Sequence, residues 1–279
     1  MSVEPEVSTE QTIAPQAHVA ASLDLAAGLQ RAGKLSEAAT ELEGALARAR
    51  ATPYEIEFQT RIRLGMTLAD VYLSLDQIQN ASDMLADEVS VAKKISEIML
   101  ATGTPDQRRT ATSGYLQLRD RATQLTLIGQ TAPDIAIKTW LKGGPVTLED
   151  LRGRVVLLEF WATWCKPCHE MFPKLKQLHE QESLRGLEIT AITRHYMAYR
   201  GTEESMAEEL QLMRTMVTDH GVSFPVGVAE DERLQAVYGA NGLPTVVLID
   251  RQGVVRYAGP GAEDWGFDEI LEKCLTESA

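Results

Sequence analysis

The sequence contains little of what marks several large classes of protein. Only three cysteines occur in 279 residues, too few for the disulfide framework of a small secreted domain. No stretch approaches the roughly 18 consecutive apolar residues of a membrane-spanning helix, and lysine and arginine form no long block. The formal net charge is −13 at pH 7, which opposes binding to nucleic acid or to an anionic lipid surface. We therefore expect no nucleic-acid partner and no membrane span.

The first residues also lack the pattern of a targeting signal. Residues 1–16 are polar and aperiodic, with no basic start and no apolar run, and they are predicted to form a flexible tail. For the sequence as written we expect a cytoplasmic protein, or a periplasmic or extracytoplasmic one if a leader has been removed. Apolar residues make up 44% of the chain, enough for a packed core.

Residues 17–127 carry apolar residues at the three- and four-residue spacing of helices. The pattern repeats at an offset of 43 residues, so that Leu25 matches Leu68 and Ala38 matches Ala81. Each copy is typical of two helices joined by a tight turn. This all-α helical-hairpin domain resembles a tetratricopeptide-type repeat, although an ordinary helical bundle explains the same pattern. A protein partner on these helices is a further expectation.

A last helix of this region is predicted to begin at Thr104. Thr104 can cap it, and Gln107 can bond back to the cap residue. Gly129 and Pro133 then interrupt the helical pattern, which places the domain boundary after residue 127.

Residues 128–279 alternate between strand and helix patterns. Strands are predicted at 134–138, 155–160, 187–193, 226–229, 245–249 and 254–257, and helices at 165–181, 203–219, 231–238 and 268–275. This order predicts an α/β domain in which a central mixed sheet is covered by helices on both faces.

Two cysteines stand where the buried strand at 155–160 gives way to a helix. A cysteine at a helix N-terminus faces unpaired amides and the positive end of the helix dipole, and Lys166 adds a nearby cation. We therefore expect the pKa of Cys165 to lie below the ~8.5 of a free cysteine. Cys168 lies in the first turn and is less exposed, and Pro167 is tolerated there. Cys165 is predicted to attack a disulfide and Cys168 to resolve the mixed disulfide.

The run Phe160-Trp161-Ala-Thr-Trp164-Cys165-Lys-Pro-Cys168 resembles the active site of the thioredoxin superfamily. The opening at 129–134 and the extra helix at 203–219 resemble its TlpA/ResA-like branch, of the AhpC/TSA-redoxin type. This resemblance implies a thioredoxin fold and thiol-disulfide oxidoreductase activity, with no cofactor besides the redox-active disulfide Cys165–Cys168. It also implies disulfide-containing client proteins and an electron-donating thiol reductant as partners. Trp164 is expected to shield the dithiol and contact the partner.

Two further features resemble the same family. Gly242-Leu243-Pro244-Thr245 resembles its cis-proline loop, which implies a cis Pro244 and a Leu243 backbone that pairs with a substrate strand. Glu159 is a carboxylate in an apolar strand, where an unpaired acid prefers to be neutral. Its position resembles that of the buried aspartate of thioredoxin, which implies proton relay to Cys168. The alternative is an ion pair with a neighbouring lysine or arginine.

Other classes explain less of the sequence. Cys165-Lys-Pro-Cys168-His169 also fits the attachment pattern of c-type haem, but it follows a buried strand and Trp164. A zinc site would need two further ligands, and the remaining histidines are scattered, so no metal is predicted. Ala162 occupies the place where a peroxiredoxin-like thiol peroxidase would carry its threonine.

A third class is a helical-repeat interaction protein with an accessory redox domain, in which the N-terminal helices recruit the client. Cys274 is expected to be a buried residue without a catalytic role. The dipeptide Lys166-Pro167 resembles that of reductants more than that of oxidants. We therefore expect a reductase.

Overall fold

The computed structural model describes residues 14–196, 202–261 and 266–277. Most of the predicted tail at 1–16 lies outside these ranges, and its last two residues belong to a helix instead, which begins at Pro15. The chain divides into two units, the first ending at Gly114 and the second beginning at Tyr115. This division lies inside a helix, α5 (Pro105–Leu127), whereas the sequence places the domain boundary after residue 127. A Cβ atom added at Gly114 would lie 2.6 Å from the Phe58 ring, so the first part of α5 packs closely within the first unit.

The first unit is built from helices. They are α1 (Pro15–Arg31), α2 (Leu35–Ala51), α3 (Phe58–Ser74), α4 (Ile78–Thr102) and the start of α5. α1 packs against α2, α2 against α3, and α3 against α4. The predicted cap of α5 is confirmed, because the Thr104 amide donates to Gln107 Oε1 at 2.9 Å and the Gln107 amide donates to Thr104 Oγ1 at 3.3 Å.

The 43-residue repeat is also present in the backbone. α3 begins and ends 43 residues after α1, and α4 begins 43 residues after α2. Gly33 and Asp76 take the left-handed conformation at the same place in the two turns, with φ of 72° and 57°. The Lys34 amide donates to the Leu29 carbonyl at 2.9 Å, and the equivalent bond of the second copy measures 2.8 Å. The two hairpins are therefore copies of one motif, and their likeness to a tetratricopeptide repeat stays a prediction.

The second unit contains a six-stranded mixed sheet. The strand order is β1-β4-β3-β2-β5-β6, in which β2–β3 and β3–β4 are parallel and the other pairs antiparallel. The strands are β1 (Thr139–Lys142), β2 (Val155–Phe160), β3 (Leu187–Arg194), β4 (Val226–Ala229), β5 (Thr245–Ile249) and β6 (Val255–Gly259). The helices are α6 (Lys166–Glu182), α7 (Glu203–Asp219), α8 (Arg233–Tyr238) and α9 (Phe267–Thr276), with a 3-10 turn at Ser183–Arg185.

The sheet is covered on both faces, which confirms the predicted fold class. Alternate residues of β2 point to opposite faces. Val155 and Leu157 lie in one core cluster with Phe172 of α6. Val156 and Leu158 lie in another cluster, which contains Tyr238 of α8. All six residues of β2 are buried, so the active-site motif that follows it starts from the rigid centre of the domain.

The predicted strand at 134–138 is wrong. These residues form no strand, and the edge strand lies at Thr139–Lys142, paired antiparallel with β4. The reason is local. The Ile135 amide donates to Asp134 Oδ1 at 2.8 Å, and this bond replaces one that a neighbouring strand would have to accept. None of the helices in the described ranges combines the length and apolar content that crossing a membrane requires.

Candidate active site

Cys165 and Cys168 lie together at the start of α6. Cys165 is the N-cap residue and is joined to Cys168 by a disulfide, with Cα atoms 5.3 Å apart. The Cys168 amide donates to Cys165 Sγ at 3.3 Å, so this sulfur takes the place of a capping oxygen. Cys165 is 3% exposed and Cys168 is fully buried. A thiolate at Cys165 would face the same amide and the positive end of the helix dipole.

The two tryptophans of the motif have different environments. Trp161 is fully buried and packs edge-on against Phe172, with ring centroids 5.2 Å apart. Trp164 is 61% exposed and packs edge-on against Tyr196 at 5.3 Å. Trp164 therefore offers an apolar surface next to the disulfide, while Trp161 belongs to the core.

Lys166 and Pro167 occupy the first turn of α6. The Lys166 side chain is largely exposed, and its Nζ lies 3.7 Å from Glu170 Oε1. Solvent and this carboxylate both weaken the field of the ammonium at the cysteines. The helix N-terminus is therefore the main fixed source of positive potential at Cys165.

The Leu243-Pro244 peptide bond is cis, as the resemblance implies. Leu243 packs against the core cluster that contains both cysteines. The Thr245 hydroxyl donates to the Gly242 carbonyl at 2.6 Å and closes the loop at the start of β5. A second cis bond, Gly144-Pro145, was not predicted from the sequence.

Glu159 lies in the middle of β2, between Ala191 of β3 and Val246 of β5. It is fully buried, and neither carboxylate oxygen has a hydrogen-bond partner within the described part of the chain, so the alternative of an ion pair finds no support there. The strand pleat directs Glu159 to the same face as Leu157 and thus to the cysteine cluster. Burial raises the pKa of Glu159 well above its usual range.

Sequence analysis missed the residues that support Trp164. Tyr196 follows β3, and its amide donates to Glu209 Oε1 of α7 at 2.9 Å. The Gln235 amide group donates to the Tyr196 hydroxyl at 2.6 Å, and the Arg194 guanidinium lies 4.2 Å from the ring centroid. The only sequence signal was an aromatic residue just after a buried strand. The bonds themselves join residues far apart in the chain.

The remaining candidates lie outside this arrangement. Cys274 is buried in α9, and burial raises its pKa to about 11, as expected for a thiol without a chemical role. The rings of His169 and His220 lie 5.6 Å apart. In the described ranges no three or more His, Cys, Asp or Glu side chains are grouped to hold a metal ion.

The burial of Glu159 predicts a pH dependence of stability. The folded protein keeps the Glu159 proton to a higher pH than the unfolded chain, so the folded state loses stability as pH rises above the unfolded pKa of ~4.3. Glu159→Gln removes this loss. In the oxidised protein, the free energy of unfolding of the variant relative to wild type should grow by about 1.4 kcal/mol per pH unit between about pH 5 and the folded pKa.

Urea unfolding across this range measures the difference. Glu180→Gln is the matched control, because Glu180 is exposed on α6, and it should change the free energy of unfolding far less than Glu159→Gln does. A pH-independent difference for Glu159→Gln would show that Glu159 is not held neutral.

The comparisons with known proteins agree with this site. The AhpC/TSA family model matches residues 128–258. Thiol-disulfide oxidoreductase ResA of Bacillus thuringiensis is 34% identical over 129 residues, which are 46% of this chain and 66% of that protein. The chain thus spans slightly less than two thirds of this relative.

Two other relatives are covered more fully. Thiol-disulfide oxidoreductase ResA of Geobacillus kaustophilus is 32% identical over 148 residues, 52% of this chain and 78% of that protein. Thioredoxin-like protein YneN of Bacillus subtilis is 32% identical over 128 residues, 46% of this chain and 68% of that protein. With its mixed sheet, its disulfide at the start of α6 and its cis Pro244, the chain belongs to the ResA/TlpA-like family of thiol-disulfide oxidoreductases in the thioredoxin superfamily.

Proposed function

We propose that this chain reduces disulfides of client proteins by dithiol exchange through Cys165 and Cys168. The observation that carries the proposal is the Cys165–Cys168 disulfide, formed at a helix N-terminus where Cys165 Sγ accepts the Cys168 amide. Once the disulfide is reduced, the same amide and the helix dipole stabilise the thiolate form of Cys165. The cis Leu243-Pro244 loop packs against the core cluster of the cysteines, and the exposed Trp164 directly precedes Cys165, so together they provide a place for the client.

The exchange takes two steps. The Cys165 thiolate attacks one sulfur of the client disulfide, a mixed disulfide forms, and the other client sulfur leaves as a thiolate that takes up a proton. Cys168 then loses its proton and attacks the Cys165 sulfur. This releases the second client thiol and restores the Cys165–Cys168 disulfide. Two electrons pass to the client, and an external thiol reductant must return two electrons to the protein. No cofactor besides this disulfide is needed.

Glu159 supplies a destination for the Cys168 proton in this scheme. Cys168 is fully buried, so its proton has no direct route to bulk water. Glu159 is buried on the same face of the sheet and has no fixed partner that would hold its charge. A carboxyl group with a raised pKa can take up a proton near neutral pH and release it again. We assign Glu159, in its deprotonated form, the role of proton acceptor in the second step.

The direction of exchange depends on the reduction potential. Known potentials of thioredoxin-fold proteins range from about −270 mV for thioredoxin to about −120 mV for strong oxidants. The Lys166-Pro167 dipeptide favours the reducing end of this range. A reducing compartment such as the cytosol would keep the dithiol available for clients.

Substitutions of the two active-site cysteines should block different steps of the exchange. Cys165→Ser should lower insulin reduction to background, because the attacking sulfur is lost. Cys168→Ser should still attack and should accumulate mixed disulfides, which non-reducing electrophoresis and mass spectrometry detect. Cys274→Ser is the control and should keep the wild-type rate, since Cys274 is a buried free thiol that takes no part in the disulfide. Trapping by Cys165→Ser but not by Cys168→Ser would reverse the assigned roles.

Glu159→Gln should slow the second step more than the first. We expect a loss on the order of 100-fold in the decay of the mixed disulfide at neutral pH, because the proton acceptor is gone. Stopped-flow mixing with a client disulfide separates the two steps. Glu180→Gln is the control, because Glu180 is exposed near the other end of α6, and it should leave both rates unchanged. Equal rates of mixed-disulfide decay in wild type and Glu159→Gln would contradict the proton role.

A further inference from the structure

The cis-proline loop is held by a carboxylate that lies outside the sheet and outside the sequence motif. Asp120 lies on α5, in the part of this helix that belongs to the second unit, and it is 5% exposed. Asp120 Oδ2 accepts the backbone amides of Asn241 and Gly242, both at 3.1 Å. Asp120 Oδ1 accepts the Asn241 side-chain amide at 2.9 Å. One carboxylate therefore fixes the two residues that directly precede Leu243.

The surrounding contacts bring α5 against the same loop. Gln124, one turn after Asp120, donates to the Gly239 carbonyl at 2.7 Å. Gly239 has a φ of 61°, and a Cβ atom added there would lie 2.4 Å from the Asp120 carbonyl oxygen. The helix and the loop thus pack too closely for any side chain at this position. The loop from residue 239 to residue 242 is fixed against α5 at both of its ends.

The charge of Asp120 strengthens these bonds. A carboxylate that accepts backbone amides forms shorter and stronger bonds than a neutral acceptor does. Asp120 is almost fully buried, whereas Asn241 is partly buried and Gly242 is exposed, so removing the carboxylate takes away an acceptor that holds these two residues against α5. Arg119 Nη2 also lies 3.3 Å from Asp120 Oδ1, and its side chain reaches the solvent. The arrangement is therefore rigid on the side that faces the loop.

We propose that Asp120 is a positioning residue for disulfide exchange, which presents the Leu243 backbone to the client strand. This inference rests on the proposed function. Asp120 touches neither a reacting sulfur nor the client. It acts through Asn241 and Gly242, whose positions determine where the Leu243 carbonyl and amide lie beside the disulfide. A loop with correct geometry binds a client strand without first losing conformational freedom.

The proposal predicts a separation between large and small substrates. Insulin, a protein disulfide, uses the loop, whereas 5,5′-dithiobis(2-nitrobenzoate) reacts with the reduced dithiol without pairing to a backbone. Asp120→Asn keeps the size of the side chain but removes the negative charge and one of the two acceptor oxygens. We expect KM for insulin to rise about tenfold with little change in kcat, while the rate with the small disulfide and the reduction potential stay at wild-type values.

Two further variants make the result decisive. Asn241→Ala removes only the side-chain bond to Asp120 and should raise KM for insulin in the same direction by a smaller factor. Asp106→Asn is the control on α5, since Asp106 is exposed, and it should change nothing. If Asp120→Asn is too unstable to purify, the Asn241→Ala measurement tests the proposal by itself.

The outcomes separate this proposal from the proposed function. If wild type does not reduce insulin, the proposed function fails. If wild type reduces insulin and both loop variants keep its KM, the positioning role of Asp120 fails while the function stands. Equal losses with insulin and with the small disulfide would show a general structural defect and would also overturn the positioning role.

Discussion

The chemistry of this protein depends on the position of one sulfur at the start of a helix. Cys165 is the N-cap residue of α6, and its Sγ accepts a hydrogen bond from the Cys168 amide. In other helices a side-chain oxygen of the N-cap residue accepts the equivalent bond. β2 sets the position of this sulfur, because all six residues of the strand are buried and the chain that leads to Cys165 is fixed by their packing. The exposed Lys166 adds little, because solvent and Glu170 weaken its field. The helix N-terminus is therefore what distinguishes Cys165 from an ordinary thiol.

A second constraint follows from the burial of the strand that carries the site. Glu159 lies in that strand with no partner for its charge, and a core of apolar residues is a costly place for a carboxylate. The fold tolerates Glu159 because burial favours its protonated form. Only the deprotonated form can accept the proton of the buried cysteine, so Glu159 must first release its own proton. The stability of the fold thus favours the protonated form of Glu159, whereas proton transfer from Cys168 needs the deprotonated form. The raised pKa determines how much of each form is present.

The loops around the disulfide are held by long-range contacts. Glu209 and Gln235 hold Tyr196, which supports Trp164, and α5 holds the segment before Leu243. The helix that precedes the family's domain thereby becomes part of the active-site support. Asp120 on α5 and Glu209 on α7 both accept hydrogen bonds from backbone amides of these loops, and these bonds do not involve the cysteines.

Much of this arrangement could be predicted because it is local in sequence. The apolar run at 155–160, the cap at Thr104 and the Cys165–Cys168 spacing each depend on neighbouring residues. The cis conformation of the bond before Pro244 was expected only from the resemblance of this loop to the cis-proline loop of the family. Asp120 could not be predicted, because its partner Asn241 is 121 residues away and nothing in the periodicity of α5 marks a buried carboxylate. The strand at 134–138 was wrongly predicted because alternation alone does not show that Asp134 bonds the next amide.

The titration of Cys165 in the fully reduced protein tests the central claim most directly. The rate of alkylation by iodoacetamide, followed against pH and assigned to Cys165 by peptide mass spectrometry, gives the pKa of this thiol. We expect a pKa clearly below the ~8.5 of a free cysteine, with Cys168 and Cys274 reacting more slowly at neutral pH. A Cys165 that titrates at ~8.5 or above would contradict it.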